Sequence, residues 1–298
     1  MTPVRTILAP TDLSPIARHA VVRAAMVARE LGARLALQHV VNVGALDALR
    51  HLIDAGAGEL QQKLLDEVRE EVAALALEIE KRQGVRSELH LVVGNVLNEI
   101  ASHADAIDAD LLVMGARGAG FVRELLIGST TERVLRKCTR PLLVVKQMAH
   151  EPYRRVLVPV DFSPRSLDAL RLAQRVAPQA EYVLVHAFEV PFEGKLRYAG
   201  VEESALSGLR VSARREATAK MNDLVAEAGG DQTRVRRIVV HGEPSMQLLE
   251  HEQAQDCDLI VIGKRGQGLI GEMLLGSVTK HILAQSVADV LVADRVGA

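Results

Sequence analysis

DLLVMGARGAGFVRELLIGSTT, residues 110–131, and DLIVIGKRGQGLIGEMLLGSVT, residues 258–279, are one pattern written twice. Aligned without a gap, the two stretches share 12 of 22 residues. Each runs from a hydrophobic strand into Gly-x-x-Gly, then nine residues, then Gly-Ser opening a helix. Internal repetition decides the architecture before any local assignment, because each copy must be a complete folding unit. The repetition reaches outward: TILAPTDLSP (Thr6 to Pro15) matches RVLVPVDFSP (Arg155 to Pro164) at an offset of 149, against 148 at the glycine loops. A period near 148 residues is too long for a solenoid and has the size of one domain, typically about 100–150 residues. The expected organisation is two fused copies, residues 1–148 and 152–298, joined near Met148 to Pro152.

Within each copy, short continuously apolar runs alternate with helical periodicity. In the first, ILAP, RLALQHVV (Arg34 to Val41), LHLVV (Leu89 to Val93), LLVMG (Leu111 to Gly115) and PLLVV (Pro141 to Val145) read as strands. Ser14-Pro15 supplies an N-cap and an N1 proline, and Gly32 a C′ residue, for the first helix. A long amphipathic helix is expected from about Gly58 to Gln83, a shorter one from Val96 to Ala104, and a last one from Ser129 to Lys137. The second copy repeats the order with VLVPV, YVLVHA, RIVV, LIVIG and VLVA, one helix between each pair. Strands apolar on both faces and separated by helices predict a parallel sheet covered on both sides. The fold class is α/β, two doubly wound five-stranded parallel-sheet domains of flavodoxin or Rossmann type, with the common strand order 3-2-1-4-5.

Composition narrows the functions. Hydrophobic residues are 48% of the chain and aromatics 2%, with no Trp, so both cores must be aliphatic. A net charge of −2 gives no electrostatic case for nucleic acid or an anionic membrane surface. No apolar run approaches the roughly 18 residues that span a bilayer. MTPVRTILAP enters a strand directly without a signal-peptide layout, so the expected compartment is cytoplasmic. Cys138 and Cys257 face Ser286 and Ala109 in the other copy, which reads as two buried thiols, not a disulfide framework.

In open parallel sheets, ligands sit beyond the carboxyl ends of strands where strand order reverses. Asp12 and Asp161 follow the first strand of each copy, and Gly115 and Gly263 end the fourth. Gly115 and Gly118 clear side chains from a close backbone approach. Gly128-Ser129 stands at a helix N-terminus, where unpaired N–H groups and the helix dipole attract phosphate. Arg117, and Lys264 with Arg265, add positive charge beside the loop. An aspartate at the strand tip can accept hydrogen bonds from ribose hydroxyls or an adenine amine. Bland alternatives stand beside each: the glycines can serve turns alone, Ser129 and Ser277 can cap their helices, and Asp12 and Asp161 can order the turn through Asx bonds. Co-occurrence in the same order in both copies favours a nucleotide site.

These residues resemble the universal stress protein family, whose nucleotide motif G-2x-G-9x-G-S/T both copies match at full length: Gly115, Gly118, Gly128, Ser129, and Gly263, Gly266, Gly276, Ser277. The early P-T/V-D-F/L-S segment and the closing P-L-L-V-V strand are similar too; the second copy departs with Asp289 where Pro141 stands. The resemblance implies a tandem, ATP-binding stress-response regulatory protein with one site per domain, binding ATP, ADP or AMP with Mg²⁺. It implies ribose and adenine contacts from Asp12 and Asp161, adenine contacts from the backbone of Val40 and Ala187, and ribose packing by Gly115 and Gly263. Phosphates would fall to Gly118, Gly128, Ser129 and Thr130, and to Gly266, Gly276, Ser277 and the backbone of Val278. Pro10, Thr11, Met114 and Arg117, with Pro159, Val160, Ile262 and Arg265, complete the expected nucleotide-binding set. The resemblance further implies pairing through last strands, making the copies an internal pseudo-dimer. A regulatory partner protein is expected but unidentified, and a homodimer is the commonest closed assembly beyond that.

The chain lacks a Walker A lysine loop, H-E-x-x-H and paired C-x-x-C motifs. His39 and His186 end equivalent strands and read as local hydrogen-bonders; His241 and His251 occur in the second copy only. No nucleophile–base pair with triad logic is legible, so no catalytic or metal-ligating residue is assigned. The alternative function is a slow Mg-dependent ATPase or adenine-nucleotide-processing enzyme, needing only bound Mg²⁺ and water.

Overall fold

The computed structural model describes residues 3–44, 57–116, 127–264 and 275–294. Contacts divide the chain into two compact units, Met1–Pro152 and Tyr153–Ala298.

In the first unit, β1 (Thr6–Pro10), β2 (Arg34–Asn42), β3 (Ser87–Gly94), β4 (Leu111–Gly115) and β5 (Leu142–Val145) form a parallel sheet in the order 3-2-1-4-5. Strands β1, β4 and β5 are buried along their whole length. That accounts for their lack of polar alternation: no face meets water. Helix α1 (Pro15–Leu31) covers β1 and β4 with small side chains, Ala17, Ala20, Ala24, Ala25 and Ala28 all buried. The Ser14 hydroxyl accepts from the Ala17 amide at 3.3 Å, Pro15 opens the helix, and Gly32 closes it at φ 63°, where a glycine carries no Cβ penalty. Helix α2 runs Ala57–Gln83, α3 spans Val96–Ala106, two residues beyond its expected end, and α4 is Ser129–Lys137.

The second unit repeats this with β6 (Arg155–Pro159), β7 (Glu181–Phe188), β8 (Val235–His241), β9 (Leu259–Gly263) and β10 (Asp289–Ala293), parallel and in the equivalent order 8-7-6-9-10. Helix α5 (Pro164–Val176) corresponds to α1. Between β7 and β8 the expected single helix is two: α6 (Glu193–Tyr198) and α7 (Glu203–Ala228). Glu193 ties them, accepting from Arg210 of α7 and from His241 Nε2 of β8 at 2.8 Å. Helices α8 (Pro244–Ala254) and α9 (Ser277–Gln285) complete the layers. Asp289, where the first copy has proline, is fully buried, and it accepts from the Tyr153 hydroxyl at 2.7 Å; β10 pairs with β9 from Asp289 onward. The buried carboxylate has a hydrogen-bond partner, and the strand forms from this residue despite the departure from the repeat.

Cys257 is buried, and its thiol is pushed up to about 12 by burial, with Asp258 adding to the effect. Cys138 is only half-buried, which corrects the expectation of two buried thiols. Among the described residues no helix is long and apolar enough to cross a membrane.

Candidate functional site

Strand order reverses between β1 and β4, and between β6 and β9, so the tips of these pairs flank a crevice in each domain. At the first tip, the Thr11 amide continues the ladder to Gln38 O at 2.8 Å, and Val160 does the same to Val185 O at 2.9 Å. The chain then turns sharply. Leu13 at φ 63° and Phe162 at φ 60° are left-handed, the same strained position in both copies. Bulky side chains at positive φ cost roughly 1–3 kcal/mol and persist where the surroundings over-determine them. Here the aspartate before each does so: Asp12 Oδ1 accepts from the Ser14 amide at 3.1 Å, and Asp161 Oδ1 from the Ser163 amide at 3.0 Å. The Asx reading of these aspartates is therefore correct for one carboxylate oxygen.

The histidines near the carboxyl ends of β2 and β7 brace the same turns. His39 Nδ1 lies 2.9 Å from Thr11 O, and His186 Nδ1 lies 2.7 Å from Val160 O. A carbonyl only accepts, so each Nδ1 carries the proton. Burial pushes both imidazoles below their ordinary value, against the opposing pull of the carbonyl bond and the nearby Asp12 or Asp161. Because the folded value is depressed, the unfolded chain binds more protons as pH falls. Stability is thus full above the unfolded value of 6.5 and is lost as pH drops through the lower folded values. We expect the urea-unfolding free energy to fall between pH 7.5 and 5.5, and His39→Gln with His186→Gln to flatten that slope. An unchanged slope in the double variant would assign the acid sensitivity to other groups.

At the second tip, the described residues flanking the glycine motif meet in the same way in both copies. Ala116 N bonds Val145 O at 2.8 Å and Gly128 N bonds Ala116 O at 2.7 Å; Lys264 N bonds Ala293 O at 2.8 Å and Gly276 N bonds Lys264 O at 3.0 Å. The Thr131 hydroxyl donates to Gly115 O, and the Thr279 hydroxyl to Gly263 O, each at 2.9 Å. Both threonines are buried, and they lock the first turn of α4 and α9 to the strand tips. These residues escaped the sequence reading, although both close the repeated stretch. The N-caps are Gly128 and Gly276 in extended backbone, with no side-chain cap bond. Ser129 and Ser277 are thus first helical residues, exposed, and not caps. Uncapped first-turn amides are the arrangement that attracts an anion.

In the second domain these parts surround a cavity of about 550 Å³. Pro159, Val160, Asp161, Ala187, Ile262, Gly263, Gly276, Ser277 and Val278 all line it, which gathers every described second-copy candidate. Ser163, Arg165, Ser166, Val185, His186, Pro244, Leu248 and Thr279 line it as well; none was named from the sequence as a nucleotide contact, His186 having been read as a local hydrogen-bonder. The volume lies inside the range of about 300–1,000 Å³ usual for small-molecule sites. In the first domain, Pro10, Thr11, Met114 and Gly115 are buried, Val40 and Gly128 half-buried, and Asp12, Ser129 and Thr130 exposed. Arg117, Gly118, Arg265 and Gly266 lie outside the described residues. Lys264 does not present a loose charge: it is buried, and its ammonium donates to Asp294 at 2.6 Å. Among the described residues, no three His, Cys, Asp or Glu side chains cluster as a metal site.

The sequence model of the universal stress protein family matches residues 3–146 and again 152–294. A universal stress protein of Mycobacterium bovis is 30% identical over 198 residues, covering 62% of this chain and 62% of the relative. One from Methanocaldococcus jannaschii is 28% identical over 155 residues, covering 48% of this chain and 96% of its own. The chain spans less than two thirds of the length of the mycobacterial relative. Among solved structures, a universal stress protein from Archaeoglobus fulgidus superposes at a TM-score of 0.65 with 24% identity, covering 98% of this chain and 99% of that one.

Proposed function

The chain belongs to the universal stress protein family, and from that premise we propose that each domain binds one adenine nucleotide, ATP in particular. The observation that carries the reading is the second-domain cavity, where the aspartate of one strand tip and the uncapped amides of a helix start share one wall-to-wall space. The aspartate and the Ala187 segment suit the nucleoside end, and the Ser277 and Val278 amides suit the phosphates. Gly115, Gly128, Ser129 and Thr130 with Asp12 are the corresponding set in the first domain.

Mg²⁺ fits this donor set only as a passenger of the nucleotide. It holds several waters and substrate phosphates with one or two carboxylates, and the described residues offer no dedicated cage. Bound there, it would neutralise phosphate charge. With nucleotide in place, a regulatory role follows: occupancy biases a surface read by a partner protein in the cytoplasm. The test is native purification followed by mass spectrometry of the released small molecule, with calorimetry of ATP and Mg²⁺ against the stripped protein. An adenine nucleotide and a stoichiometry of two are expected. No heat at millimolar ATP would sink the reading.

A further inference from the structure

A second cavity of the second domain lies at the opposite end of the sheet from the crevice. Arg155 opens β6, Glu181 opens β7 and Arg236 is the second residue of β8, so all three stand at the amino ends of strands. With Thr233, Arg234 and Gln255 they line a space of about 460 Å³. That again falls within the range of about 300–1,000 Å³ usual for small-molecule sites. Gln255, just past the end of α8, holds two guanidiniums at once. Its carbonyl accepts from Arg155 Nη1 and its side-chain Oε1 from Arg236 Nη1, each at 2.5 Å. Arg234 Nη1 donates to Pro178 O at 3.2 Å. Each arginine is thus anchored through one nitrogen to a neutral oxygen. Carboxylates answer only part of the charge: Asp231 lies 3.3 Å from Arg234 Nε and Glu181 3.5 Å from Arg155 Nε. Among the described residues Arg236 meets none. The fold does not demand this charge, because the first copy builds the same strands with Thr6 and Glu88 at the positions of Arg155 and Arg236.

The geometry points to an anion site here, taking a phosphate group either free or carried by a small molecule as a monoester. Two guanidiniums tied to one glutamine repel each other, and an anion bridging them reverses that repulsion. Their planar forks match phosphate oxygens, and because Gln255 already fixes them, little side-chain freedom is lost on binding. Three arginines against one lining carboxylate suit a phosphate dianion better than a monocarboxylate. Glu181 is the internal competitor: it stands at the Nε edge of Arg155, and at 67% exposed it is free to swing aside. The site shares no lining residue with the crevice.

The test uses the full chain carrying Gly128→Val and Gly276→Val, so that phosphate taken up at the two helix starts does not confuse the readout. Arginine side-chain Nε–Hε resonances are followed by NMR while inorganic phosphate, and separately glycerol phosphate, replaces chloride at constant ionic strength. We expect the Arg155, Arg234 and Arg236 signals to shift and saturate, half-way at about 1 mM or below. Arg236→Gln, at an exposed position, should weaken binding by about tenfold. Glu181→Gln should tighten it by about two- to fivefold, since a competing charge is gone. Tighter glycerol phosphate would identify the ligand as an ester, and equal constants as free phosphate; both uphold the site. Shifts still linear at roughly 20 mM, or a half-saturation untouched by Arg236→Gln, would overturn it. Either result leaves the nucleotide reading where it stands, because the crevices are closed in this protein.

Discussion

On the proposed nucleotide reading, Gly276→Val is expected to lower the ATP affinity of the second domain by about a hundredfold or more while the domain stays folded. The backbone there has φ −60° and ψ 153°, a conformation valine adopts without strain. Its own amide is bonded to Lys264 O, a bond that valine can keep. Losing glycine as N-cap costs the helix about 1 kcal/mol or less. The ligand meets a different situation. Position 276 lines the cavity, and three added carbons there occupy the space beside the first-turn amides. Denying a phosphate two charge-assisted bonds at about 1.5–3 kcal/mol each gives the stated loss. Calorimetry would show the stoichiometry falling from two to one, with an apo unfolding midpoint within a few degrees of the parent. An unreduced stoichiometry would place the phosphates somewhere other than this helix start.

The repeated glycine stretch stood out as a candidate phosphate loop because its signal is local: glycines at fixed spacing, then a helix start, all within 22 residues and repeated. Strand order was legible for a related reason, since fully apolar short strands between helices leave few topologies. What escaped notice acts across sequence distance. Thr131 and Thr279 are ordinary helix residues until the fold brings Gly115 O and Gly263 O to 2.9 Å. Leu13 and Phe162 carry no glycine or asparagine signature for positive φ, because the turn is imposed on them by neighbours. Lys264 read as a positive charge offered beside the loop only because Asp294, thirty residues on, is invisible to a local motif. Ser129 and Ser277 look like caps by type, yet the glycine before each takes the cap position so that the amides stay open.

The repeated stretch opens on aspartate for a reason that predicts the largest single loss of stability. Asp258 accepts from two successive amides, Arg154 N at 2.8 Å and Arg155 N at 3.1 Å, while its own amide donates to Arg155 O at 3.0 Å. Asp110 repeats this with Arg5 N at 2.8 Å, Thr6 N at 3.0 Å and Thr6 O at 2.9 Å. Each aspartate thereby fixes the register at which β6 meets β9, or β1 meets β4, the two strand pairs whose opposite ends flank the crevice. A one-residue slip there would turn every core side chain to the wrong face. Asp258→Ala strips both amides of their acceptor. Two bonds to a charged group, discounted for a half-exposed carboxylate, give a loss of about 2–3 kcal/mol. For a domain of this size that is a fall of roughly 5–10 °C in unfolding midpoint. Asp258→Asn keeps one acceptor oxygen and should lose about half as much. Urea unfolding monitored on both variants decides the matter: a parental midpoint for Asp258→Ala would mean the ladder alone holds the register. A stability loss with nucleotide affinity kept below the new midpoint would separate this far-end anchor from the site it aligns.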